Sequence, residues 1–239
     1  MTVLGRSSAG GGALPVIAVT GMAFEARIVR GKGVDVVYAA RADLLERALS
    51  EAVARGCAGI VSFGTAGGLA PELAPGALIV ATAVDGPFGR IATDPRWSDR
   101  LAAALAATPL GVRLRRGLLA AVGAPLTSAH EKQALYRSTG ALAVDMESHI
   151  AGAVAAAHGL PFAVCRAVVD PAWRTLPRAA TAGLRDDGTT ALAPILRELV
   201  RQPSQLGPLI QVAADARAAR TSLVAARHAL GVAGALQAA

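Results

Sequence analysis

The run Met146-Glu147-Ser148-His149-Ile150-Ala151-Gly152-Ala153-Val154-Ala155-Ala156-Ala157-His158-Gly159-Leu160-Pro161-Phe162-Ala163-Val164-Cys165-Arg166-Ala167-Val168-Val169-Asp170 reads as a helix, a stop and a strand. Met146 to His158 form the helix, Gly159 supplies the left-handed residue that ends it, and Pro161 just beyond cannot continue it. Phe162 to Val169 is then apolar almost throughout, the pattern of a strand covered on both faces. Helix delivered to buried strand is the repeating unit of an α/β domain.

Working outward, the same alternation recurs. Pro15 to Thr20 and Val34 to Tyr38 read as strands. From Asp43 to Arg55 a helix places Leu44, Leu45, Ala48, Leu49, Ala52 and Val53 on one face, with Asp43 positioned to cap it. Cys57 to Phe63 is a strand expected to close in a glycine-rich turn, Gly64-Thr65-Ala66-Gly67-Gly68, and Ala77 to Val84 is another that closes in Asp85-Gly86-Pro87. Trp97 to Ala107 reads as a helix and Leu118 to Val122 as a strand. The pattern predicts one α/β domain over residues 15–200, its sheet covered on both faces. A Ser/Gly-rich flexible tail is expected over residues 1–14 and a helical C-terminal extension over residues 201–239.

Composition narrows the function classes. The net charge of +7 over 239 residues comes almost wholly from arginine, since Lys32 and Lys132 are the only lysines. The arginines are scattered and no aromatics interleave with them, so nucleic acid is not the expected partner. No apolar run approaches the roughly 20 residues of a spanning helix, and Met1 to Leu14 lacks the apolar core of a signal peptide. Cys57 and Cys165 each lie in an apolar run, as buried thiols of a reducing compartment do, so the expected location is cytoplasmic. No His/Cys/Asp cluster has metal-ligand spacing, and no metal is expected.

In α/β sheets ligands collect at the carboxyl ends of strands. Glu25 lies just past the first strand, Gly64 to Gly68 past a central one, and Asp170 at the end of the last. The glycine run lets backbone approach a ligand, although a plain packing turn explains it too. It is neither a G-x-G-x-x-G nor a P-loop fingerprint. Asp145 and Glu147 sit at a helix start, where the dipole favours negative charge; capping and solvation are the ordinary alternatives. Asp170, leaving the core before Pro171, is partly desolvated, which suits a general acid; a turn cap is its ordinary role. Glu25 could simply pair with Arg27.

Taken together, Gly21-Met22-Ala23-Phe24-Glu25, the run Ser62 to Leu69 with Pro75-Gly76, and Ala143-Val144-Asp145-Met146-Glu147-Ser148 through Arg166-Ala167-Val168-Val169-Asp170 resemble, in order and spacing, the nucleoside phosphorylase and 5'-methylthioadenosine/S-adenosylhomocysteine nucleosidase superfamily. Asp145-Met146-Glu147-Ser148-His149, Asp170-Pro171-Ala172 with Leu176-Pro177, and the region after Arg201 are similar to its hopanoid-associated branch, which releases adenine from adenosylhopane.

The resemblance implies a three-layer α/β/α phosphorylase/hydrolase-like fold with a central mixed, largely parallel twisted sheet, and cleavage of a purine nucleoside. It implies that Asp170 protonates or hydrogen-bonds N7 of the base, that Glu147 holds the ribose hydroxyls and with Met146 stabilises the sugar, and that Glu25 activates water. Thr65, Ala66, Gly67 and Val144 would line the substrate pocket. No cofactor is implied, but a phosphorylase would take inorganic phosphate as co-substrate on Arg27 and Thr65. Val169 departs from relatives that carry Ser before the catalytic Asp.

A lipid nucleoside needs an apolar opening, for which Phe24, Phe88, Trp97 and Trp173 are candidates, with His130 and His149 as candidate neighbours. Relatives form homo-oligomers, and a dimer is expected. The helical stretch Leu206 to Ala239, with Arg217, Arg220 and Arg227, suggests weak peripheral contact with the inner membrane, or else packing on its own domain or a partner subunit. A salvage enzyme for methylthioadenosine and a non-catalytic nucleoside sensor are the rival readings.

Overall fold

The computed structural model describes residues 13–39, 41–183, 188–189 and 191–238. The tail expected over residues 1–14 therefore lies outside the described residues up to residue 12.

In chain order the elements are β1 (Val16–Thr20), α1 (Ala23–Val29), β2 (Val34–Tyr38), α2 (Ala42–Ala54), β3 (Gly59–Gly68), β4 (Leu78–Gly86), β5 (Gly89–Ala92), α3 (Pro95–Ala106), β6 (Leu114–Ala121), α4 (Ala129–Thr139), β7 (Ala143–Asp145), α5 (Ser148–Ala157), β8 (Phe162–Asp170), α6 (Arg178–Ala182), α7 (Leu192–Arg201) and α8 (Leu206–Val232).

Parallel pairings join β2 to β1, β1 to β3, β3 to β8, β4 to β6 and β6 to β7. Antiparallel ones join β3 to β7, β4 to β5 and β4 to β8. The sheet is thus mixed and mostly parallel, and β3, β8, β4, β6 and β7 close into a ring. Strand alternation sorts the core into two layers. Ile17, Val19, Ile60 and Val164 pack with α2 and α5, whereas Val16, Ala18, Val61 and Cys165 pack with α1, α3 and α8. This is the α/β/α arrangement expected.

Three local expectations are corrected. The Gly64–Gly68 stretch is not a turn closing the strand: β3 runs on through it, paired with β8 to Gly67 and shifted in register between Ala66 and Gly67. Pairing across β8 satisfies the backbone that a turn would have left open. Asp43 does not cap α2; Arg41 occupies that position, and Asp43 in the first turn holds its guanidinium at 2.7 and 3.0 Å. Trp97 lines no opening, because it is fully buried with its indole N–H on the carbonyl of Ala235 at 2.9 Å. For α8, packing on its own domain is the alternative observed: Ala219, Leu223, Ala226 and Leu230 enter the same core as α1 and α3, and Arg227 reaches the carbonyl of Val29 at 2.8 Å. Among the described residues no helix is long and apolar enough to cross a membrane, and both cysteines are buried and free.

Candidate active site

Helix α1 starts directly after β1, and its third residue, Glu25, turns back over its own N-terminus. Its carboxylate accepts from the amides of Gly21 at 3.2 Å and Met22 at 3.0 Å. The other oxygen accepts from the Thr65 amide at 2.7 Å and the Thr65 hydroxyl at 2.6 Å. A capping carboxylate has thereby become a link between the start of α1 and β3, 1% exposed. Arg27, two positions on, is exposed and lies on another face of the helix, so it does not pair with Glu25.

The second element is Arg166, fully buried in the middle of β8. It stands opposite Gly64 in the parallel register, where a Cβ would come within 2.7 Å of both its guanidinium and the Glu25 carboxylate. The guanidinium pairs with Asp145 at 2.7 Å and Glu147 at 3.0 Å and donates to the Ser62 hydroxyl at 2.7 Å. Asp145 also accepts from the amide of Ser148, at 3.1 Å, and from its hydroxyl. Asp145 is therefore the buried end of β7, and its carboxylate still accepts from the first turn of α5.

Glu147 is the residue just before α5, its side chain 15% exposed, and its carboxylate leaves no room for a side chain at Gly21. Burial pushes its pKa up to about 7; Arg166 opposes the shift, and Asp145 and Glu25 add to it. Burial works against the Arg166 charge, but Asp145, Glu147 and Glu25 outweigh it and raise its pKa. Three carboxylates thus surround one guanidinium.

The third element is Asp170 at the end of β8, in register with Gly67 of β3. Its carboxylate is met by the ammonium of Lys132 from α4, a side chain with no exposure at all, which also donates to the carbonyls of Pro171 at 3.2 Å and Arg174 at 2.9 Å. Burial raises the Asp170 pKa, and Lys132 holds part of that rise back.

Gly67 joins the halves of the site: a Cβ there would lie 3.3 Å from Val144 and 3.5 Å from both Asp170 oxygens. The predicted residues Glu25, Thr65, Gly67, Val144, Glu147 and Asp170 therefore converge on one end of β3. Met146 is half-buried beside them, whereas the side chain of Ala66 faces the core and can offer only its backbone. Phe88 and Trp173 are exposed, Phe24 is half-buried and His130 is exposed. His149 is buried against the Phe88 ring with centroids 5.4 Å apart, and burial lowers its pKa.

Sequence reasoning missed Arg166 and Lys132 as site residues. Arg166 announces itself as the single charge within the otherwise apolar run Phe162 to Val169. Lys132 carries no signal beyond the scarcity of lysine, since α4 itself went unread.

A sequence model of the family described as Phosphorylase superfamily matches residues 6–201. No curated protein matches the sequence. Among solved structures, a Helicobacter pylori 5'-methylthioadenosine/S-adenosylhomocysteine nucleosidase mutant with 5'-methylthioadenosine in its active site is similar at 16% identity and TM-score 0.63, over 93% of this chain and 98% of that one. Futalosine hydrolase of the same organism is 17% identical at TM-score 0.58, over 66% and 88%. S-adenosylhomocysteine nucleosidase of Streptococcus pyogenes is 18% identical at TM-score 0.59, over 69% and 87%. At these identities the likeness is one of fold.

Proposed function

The chain belongs to the phosphorylase superfamily, and on that premise we propose that it cleaves the N-glycosidic bond of a purine nucleoside with water as the nucleophile. Asp170 passes a proton to N7 as the bond from C1' to N9 breaks and its electron pair leaves with the base. Glu147 holds the ribose hydroxyls and faces the positive charge that develops on the sugar. Water bonds to C1', and Glu25, already holding the Thr65 hydroxyl and amide, takes the released proton.

The observation that carries water over phosphate is the charge around Arg166. Asp145, Glu147 and Glu25 face a single guanidinium, so the pocket favours a cationic sugar and repels a dianion. Arg27, the residue otherwise suited to phosphate, is exposed on another face of α1. Inorganic phosphate as a co-substrate is therefore the less favoured arrangement.

The substrate proposed is adenosylhopane, with release of adenine. Phe88 at 60% and Trp173 at 54% exposure supply apolar surface for a lipid tail. Peripheral contact with the inner membrane belongs to this reading. The exposed stripe of Leu192, Leu196 and Val200 on α7, beside the exposed Arg197, supports that contact, as do the exposed Leu206 and Ile210 at the start of α8. A homodimer is the proposed assembly. Methylthioadenosine is the second substrate reading, favoured by the fold shared with a nucleosidase that holds that compound over 93% of this chain.

Incubation with adenosylhopane or methylthioadenosine, each with and without phosphate, followed by assay of adenine, tests these assignments. Phosphate-independent release from adenosylhopane is expected. Phosphate dependence would overturn the nucleophile, faster release from methylthioadenosine the lipid substrate, and no release from either the enzymatic reading.

A further inference from the structure

Lys132 is the buried cation that the reaction scheme above leaves without a task. It lies on α4, outside the segments that hold the sugar, yet its ammonium has three acceptors and no exposure: one Asp170 oxygen and the carbonyls of Pro171 and Arg174. Val169, the residue before Asp170, offers the carboxylate no hydrogen bond from its side chain. The two carbonyls hold the ammonium beside the Asp170 oxygen.

We propose that Lys132 is a positioning residue for base departure: it anchors one oxygen of Asp170, leaves the other for N7 of the purine, and stabilises the carboxylate formed when the proton is passed on. The inference rests on the nucleosidase reading and adds a residue to it. In the step itself the Asp170 O–H bond breaks and an N7–H bond forms. The electron pair left on Asp170 faces an ammonium already in contact, so no reorganisation is needed as charge develops. After that transfer the carboxylate faces the Lys132 ammonium, whose contact with Asp170 is already in place.

The charged groups around Asp170 are few. Lys132 faces it from α4 and Asp215 from α8, and Asp215 is itself held by Arg174 at 2.8 Å. Burial and Asp215 favour the protonated acid; Lys132 opposes both. Removing the ammonium therefore makes Asp170 a weaker acid that keeps its proton to higher pH.

The test is the pH profile of adenine release by Lys132→Met and Lys132→Arg beside the parent and Asp170→Asn. For Lys132→Met we expect kcat to fall roughly 10- to 100-fold and the alkaline limb of kcat/KM to move up by about one pH unit or more. Lys132→Arg, which keeps the charge, should return the limb toward that of the parent. A Lys132→Met enzyme with the parent's rate and limb overturns the proposal. If that variant does not fold, Lys132→Gln is measured in the same way: an alkaline limb moved up from the parent's is expected, and a limb at the parent's position overturns the proposal. Full-speed release by Asp170→Asn would instead sink the nucleosidase mechanism, whereas an inactive Asp170→Asn beside an unchanged Lys132→Met removes only the role of Lys132.

Discussion

Gly64 of β3 and Arg166 of β8 are register partners, and a single methyl group at position 64 would come within 2.7 Å of the guanidinium and of the Glu25 carboxylate. The glycine is thus the space in which a buried cation and an anion from another strand meet.

Gly64→Ala should therefore displace Arg166, Glu25 or both. Overpacking of this kind costs about 1–3 kcal/mol, measurable by urea denaturation. Adenine release should fall in parallel, because the two displaced groups hold Glu147 and Thr65 respectively.

Arg166→Met should be more damaging. It leaves Asp145 and Glu147 without their cation in a buried setting, and breaking such a pair from one side costs about 3–5 kcal/mol. A denaturation midpoint equal to that of the parent would contradict the network as described.

Glu147 gives a pH prediction. Its pKa in the folded protein, about 7, lies above the ordinary carboxylate value of 4.5. Its contribution to stability is then fully present below the ordinary value and lost as pH rises through about 7. Activity that needs the ionised form runs the other way and should rise through the same range. Glu147→Gln should remove that rising limb and lower kcat/KM on the order of 100-fold, read from a pH–rate profile.

Leu223 on α8 is fully buried among residues of α1, α3 and β8. Leu223→Ala should cost about 2–5 kcal/mol, and deletion of residues 206–239 should abolish cooperative unfolding. A truncated chain that melted like the parent would show the helix to be dispensable.

The α7 stripe yields a binding prediction. Leu192→Glu with Leu196→Glu should abolish cosedimentation with anionic phosphatidylglycerol vesicles at low salt, while leaving turnover of methylthioadenosine intact. Unchanged cosedimentation would remove α7 as the contact surface.

Many strand and helix positions were legible in the chain because the information is local, while the short β5 and β7 and the helices α1 and α4 went unread. Apolar runs such as Phe162 to Val169, the stop at Gly159 with its φ of 62°, and the carboxylates placed just past strand ends all follow from neighbours along the sequence. From them the sequence alone determined an α/β domain and placed Glu25, Glu147 and Asp170 at the same edge of its sheet. Partner choice was left to the tertiary structure. Thr65 meets Glu25 across 40 residues, Lys132 meets Asp170 across 38, and Ser62 meets Arg166 across 104. Such pairs come from strand order and register, which bring distant backbone to within a side chain's reach. Burial then sets the proton affinity of each acid by which charges it shuts in with it, and no periodicity in the chain encodes that.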